Sequence, residues 1–157
     1  MMPPWPGSIV PCGRWQRVTD RAPPPGFEPH LRRSPVTAPW EPLWVKRHSG
    51  GLTLGFRIAA SHCNARGSLH GGVIATLADN MMGLACADAA GGGIGMVTVS
   101  LTTDYLGGAQ PDEWLEIAAT PTRIGRTLCF ASAVVTAGDK SVARASAVFR
   151  TTSKRTG

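Results

Sequence analysis

Aromatic side chains are scarce in this chain, at 6% of its 157 residues with a single tyrosine. Charge is sparse too: Asp, Glu, Lys and Arg make up 17%, and acids are the rarer sign, 10 against 16 bases. Without an aromatic-basic motif, the basic balance does not read as a nucleic-acid surface. No apolar run is long enough to span a membrane, which takes about 20 residues. The longest, 71–86, is broken by Thr76, Asp79 and Asn80. The opening MMPPWPGSIVP is proline-rich and has no basic n-region, so no secretory signal is expected and a cytoplasmic location is. The cysteines, Cys12, Cys63, Cys86 and Cys129, form no CxxC pair. That excludes a disulfide scaffold and a paired-cysteine zinc site. His62, Cys63, His70 and Cys86 follow one another at spacings of one, seven and sixteen, which fits no usual zinc pattern. Neither a metal nor a cofactor is expected.

What is present suffices for one core. Hydrophobic residues reach 43%, and the length is that of one ordinary domain. The net charge of +6 is evenly divided. Residues 1–35 carry five arginines against Asp20 and Glu28, giving +3, and the rest carry 11 bases and 8 acids, again +3. A positive surface suits a phosphorylated ligand. Residues 1–35 also hold nine of the 13 prolines and no helical or strand period. This segment should be extended or disordered. A chain starting near Val36 is expected to keep its stability and activity.

Residues 36–157 look like one domain. LWVKR and LTLGFRIA read as two strands around a glycine turn. After a polar loop, Ile74, Leu77, Ala78, Met81 and Ala85 follow helical spacing up to the Gly91–Gly93 run. Four further segments, beginning at MVTVSLTTDYL, alternate as strands. One long apolar helix covering an antiparallel sheet of meandering strands makes an α+β domain.

The helix has a second stripe of Gly72, Thr76, Asp79 and Gly83. These are small residues apart from one carboxylate, so another backbone can approach closely. A carboxylate on such a face is expensive unless it is paired or used. His70-Gly71-Gly72 places two poor helix formers in the first turn, which suggests that something comes close to that backbone. The free N–H groups of a helix start can polarise a carbonyl or hold an anion.

The run Asn64-Ala-Arg-Gly67-Ser-Leu-His70-Gly71-Gly72-Val-Ile-Ala-Thr-Leu-Ala-Asp79 resembles the signature of PaaI-like hotdog-fold acyl-CoA thioesterases. The resemblance continues through Tyr105-Leu106 and Arg123-Ile-Gly125-Arg126 and covers roughly residues 43–152. It implies a hotdog fold, an antiparallel sheet wrapped around one long central helix. It also implies a homodimer or a dimer of dimers (a homotetramer), with active sites between subunits, and an acyl-CoA substrate. By resemblance, Asp79 is the catalytic carboxylate, either activating water or attacking the thioester. The Gly71 N–H would hold the carbonyl oxygen, beside Gly72. Asn64 would orient water or substrate, and His70 would brace the loop. A hydroxyl after the helix falls on Thr98, with Ser100 as the alternative on the same strand face. Tyr105, Leu106, Gly107, Arg123, Gly125 and Arg126 map to the nucleotide of CoA. Gly107-Gly108 departs from relatives that often carry proline there.

Two other readings compete. A hotdog dehydratase or hydratase needs a His and an acid facing each other. His70 and Asp79 are available, but the HGG context fits the thioesterases better. A non-catalytic acyl-CoA-binding module needs no general base, and Asp79 argues against it. The small residues Ala75, Gly83 and Ala87 hint at space for an aromatic or medium-length acyl group, but the sequence does not specify which.

Overall fold

A computed structural model describes residues 21–32 and 34–152. Its elements are β1 (Glu28–Pro29), β2 (Trp44–His48), β3 (Gly51–Arg57), α1 (Gly71–Ala89), β4 (Gly95–Tyr105), β5 (Trp114–Ile124), β6 (Leu128–Ala137) and β7 (Lys140–Thr152). The strands form one antiparallel sheet in the order β1-β2-β3-β5-β6-β7-β4. The sheet carries α1 on one face, as the sequence reading expects.

The helix forms where apolar residues recur at helical spacing, and both ends are capped. The His70 side chain accepts the Gly72 N–H. At the other end Gly91 adopts φ +85, and its N–H and that of Gly92 reach back to Asp88 O and Ala87 O at 3.0 and 2.9 Å. Those two bonds satisfy carbonyls that the last turn would leave unpaired. Ile74, Leu77, Ala78, Met81 and Ala85 are all buried, and Val73, Met82 and Cys86 join them. They pack on Leu54, Phe56, Ile117, Val135 and Phe149 and on a run of alanines in β6 and β7. Alanines that small let the helix sit close to the sheet. The stripe Thr76, Asp79 and Gly83 remains half-open.

Two features differ from the simple strand reading. The strands do not form one meander. β5, β6 and β7 do, because short turns join them, one of them around Gly138 at φ +58. β4 instead follows the helix and joins the far edge beside β7, while β3 pairs with β5. The second feature is a bulge. The register of β4 on β7 shifts between Thr98 and Ser100. Thr98 lies opposite the buried Phe149, but Ser100 lies opposite Val148 on the other face. The one extra residue, Val99, flips the alternation. Ser100 therefore does not share a face with Thr98, and the expected alternative to Thr98 is excluded.

The described part of the proline-rich segment is extended. His30 N–H donates to Leu43 O at 2.9 Å, and Glu28–Pro29 pairs with β2. Phe27 is buried, and its ring meets Trp114 edge-on at 5.2 Å. That burial changes the expectation for a chain starting at Val36. Among the described residues no helix is long and apolar enough to cross a membrane.

Candidate active site

The loop before α1 is closed by its own side chains. Asn64 Oδ1 accepts the Arg66 and Ser68 N–H groups at 2.8 and 3.4 Å. That carbonyl is spent on the loop, so only the amide NH2 of Asn64 is left for a substrate. His62 is buried against the rings of Trp40 and Phe56. Its Nδ1 accepts the Ala59 N–H at 3.1 Å, and burial pushes its pKa down. The His62 carbonyl accepts the His70 N–H at 2.9 Å. A buried neutral imidazole thus helps to fix where the helix begins, a role that no sequence motif announced.

His70 is exposed, and its side chain caps the start of α1. Gly71 is glycine for a steric reason. A Cβ there would lie 3.0 Å from the Tyr105 ring, whose hydroxyl donates to Gly71 O at 2.8 Å. Tyr105, Leu106 and Gly107 therefore sit beside the helix start. The Leu106 and Gly107 N–H groups both donate to Val142 O, at 2.9 and 3.1 Å. Proline at 107 would lose that donor, and a Cβ there would lie 3.0 Å from Ser141 O.

Asp79 lies two turns further along α1, half-exposed. The Thr98 hydroxyl donates to both of its oxygens, at 2.8 Å to Oδ1 and 3.1 Å to Oδ2. The bulge at Val99 ends the register that aims Thr98 at the helix. Around the pair lies a cleft of about 230 Å³, bounded by Gly83, Phe149 and Met96. A Cβ at Gly83 would come within 3.3 Å of the Phe149 ring. Arg32 and Ser34 from the proline-rich segment also line this cleft. Sequence reasoning missed them, because that segment has no period to say which residues face inward.

Arg123, Gly125 and Arg126 lie elsewhere. Arg123 lines a shallow cleft with Asp88 and Ala89, at the C-terminal end of α1. Gly125 closes the β5–β6 turn, with its N–H on Leu128 O at 3.0 Å. Arg126 O accepts the Thr151 hydroxyl at 2.8 Å. The helix has 19 residues, about 28 Å at 1.5 Å each. Within one chain Tyr105–Gly107 and Arg123–Arg126 are therefore at opposite ends of it. Gly71 and Asp79 are eight residues apart, about 12 Å along the axis. Among the described residues no cluster of three or more His, Cys, Asp or Glu is placed to hold a metal.

Comparison with known proteins fits this geometry. The model of the thioesterase superfamily matches residues 66–144, from the loop before α1 into β7. The Pseudomonas aeruginosa protein PA0474, an esterase by name, is 38% identical over 127 residues, which is 80% of this chain and 95% of that one. Human acyl-coenzyme A thioesterase 13 is 35% identical over 94 residues, 59% of this chain and 65% of the human protein. The crystal structure of smu.793 from Streptococcus mutans, bound to acetyl CoA, superposes with a TM-score of 0.68 at 26% identity. The match covers 80% of this chain and 97% of that one. With one long helix laid on an antiparallel sheet, its glycine helix start and its Thr98-clasped carboxylate, the chain belongs to the thioesterase superfamily and has the hotdog fold.

Proposed function

We propose that the chain hydrolyses acyl-CoA thioesters to the free acid and CoA, with Asp79 as the catalytic carboxylate. The observation that carries this reading is the Thr98–Asp79 pair, set in an open cleft of a superfamily member. A hydroxyl bridging both oxygens fixes the carboxylate's orientation and leaves lone pairs for a water or a thioester carbon. Asp79 takes a proton from water as the water oxygen bonds to the carbonyl carbon, or attacks that carbon directly to give an acyl anhydride that water then cleaves to the free acid. The C–S bond breaks and the CoA thiolate leaves. Negative charge builds on the carbonyl oxygen meanwhile, and the Gly71 N–H at the positive end of α1 is suited to hold it.

One chain cannot assemble both halves. Oxyanion donor and base must each come within about 3 Å of the reacting group. Gly71 and Asp79 of the same helix are about 12 Å apart. Two chains, each giving one half, resolve this. Among the described residues β4 is an edge of the sheet and exposes Val97 and Val99, at 55% and 60%, which supports pairing with a second copy there. Such a dimer also offers a way to bring Tyr105, Leu106 and Gly107 of one chain toward Arg123, Gly125 and Arg126 of the other, around one CoA. Gly72 would lie in the same interface. The CoA-bound relative supports a CoA thioester as the substrate.

The test is thiol release from a panel of acyl-CoAs by wild type and Asp79→Asn. Loss of a general base lowers kcat by roughly 10²–10⁴. A folded Asp79→Asn protein with wild-type kcat would refute the assignment. Absence of hydrolysis by the wild type would favour a binding module instead.

A further inference from the structure

The segment 26–32 is more than a strap on the sheet edge. Between it and α1 lies a groove of about 580 Å³. Its apolar floor comes from Leu52 of β3 and from Met81, Leu84 and Ala87 of α1. Its outer wall includes Pro29 and Leu31, and Leu31 is 85% exposed. Leu31 therefore presents an apolar side chain to solvent beside an apolar floor.

Glu28, His30, Arg32, Lys46, Arg47 and Asp88 bring polarity to the rim of this groove, and three of them are engaged. Arg47 and Asp88 form a two-pronged pair at 2.7 and 2.8 Å at the end nearest the helix C-terminus. The Lys46 ammonium sits 4.8 Å from the centre of the Phe27 ring. The groove also adjoins the Asp79 cleft, since Arg32, Leu84 and Ala87 line both. From Met81 to Asp88 the helix advances by seven residues, about 10 Å.

We infer that this groove holds the acyl group, and that residues 26–32 set which acyl groups are accepted. The inference rests on the thioesterase reading above. A thioester carbon placed at Asp79 has its apolar tail directed past Arg32 into the groove. The class favoured is an apolar acyl group of medium length, long enough to leave the cleft and reach Leu52. A two-carbon acyl group does not leave the cleft and gains nothing from the groove.

The experiment is kcat/KM for acetyl-, butanoyl-, hexanoyl- and octanoyl-CoA with wild type, Ala87→Leu and Leu31→Asp. Wild type is expected to favour octanoyl over acetyl. Each methylene displaced from the groove lowers kcat/KM by about fourfold. Ala87→Leu fills the groove and should cut the octanoyl-to-acetyl ratio by about tenfold or more. Leu31→Asp, at an exposed position that leaves the core intact, should cut the same ratio several-fold. It decides the matter should Ala87→Leu fail to fold. Wild-type hydrolysis with no preference for octanoyl, or a ratio unchanged in the folded variants, overturns the groove alone. No hydrolysis of any acyl-CoA by the wild type overturns the thioesterase reading and the groove with it.

Discussion

Replacing Thr98 by valine removes one hydroxyl and keeps the shape of the side chain. The lost group is the donor that spans both oxygens of Asp79 at 2.8 and 3.1 Å. A hydrogen bond to a charged group contributes about 1.5–3 kcal/mol. Thr98 is exposed and Asp79 half-exposed, so solvent competes for the bond. About 1–2 kcal/mol then remains, which corresponds to a loss of roughly 5–30-fold in rate. The loss should fall on kcat, because the bond orients the reacting carboxylate and does not bind the nucleotide. Thr98→Ser keeps the hydroxyl and should stay within a few-fold of wild type. Ser100→Ala is the sharper control. The bulge at Val99 turns Ser100 to the opposite face, so its removal should leave kcat unchanged. Steady-state thiol release by the three variants, each checked for folding by its melting temperature, decides the matter. Equal losses for Thr98→Val and Ser100→Ala, or full activity of Thr98→Val, would refute this account of the site.

His62 predicts a pH dependence of stability. Burial lowers its folded pKa below the usual 6.5, so the stability it confers is full above that value and declines as pH falls below it. Denaturant midpoints between pH 7 and 5 should fall in wild type and fall less in a folded His62→Gln variant; equal slopes would show that His62 is not the group responsible. His70→Ala removes the cap on the Gly72 N–H. It should cost about 1 kcal/mol, roughly 2–4 °C in Tm by calorimetry, and an unchanged Tm would mean that the cap contributes nothing. A chain starting at Val36 loses the buried Phe27 ring and its contact with Trp114. Its Tm should drop by several degrees, whereas the sequence alone suggests no change. Arg126→Ala should raise KM for a CoA substrate by roughly tenfold and leave that of an N-acetylcysteamine thioester unaltered; equal losses for both substrates would place the nucleotide elsewhere.

Much of this protein is written in local patterns. Helical spacing from Ile74 to Ala85 selects one long helix, because burying one face of it demands that period. His70-Gly71-Gly72 marks its start, and the stripe through Asp79 marks the face left open, since both are properties of a single helix. The hotdog resemblance of Asn64 through Asp79 is legible for the same reason: its residues are close in sequence. Local patterns do not register which strands become neighbours. β4 lies beside β7 only because the helix between β3 and β4 carries the chain across the sheet. Nor does alternation reveal a bulge. Val99 reads as an ordinary strand residue, yet one unpaired position decides that Thr98 and not Ser100 meets Asp79. The proline-rich segment shows the same limit. With no period of its own, it takes its structure from what it lies against: Phe27 against Trp114, Glu28–Pro29 against β2, and Arg32 at the edge of the Asp79 cleft. Those placements are set by the shape of a surface assembled from distant parts of the chain, so only the folded molecule could decide them.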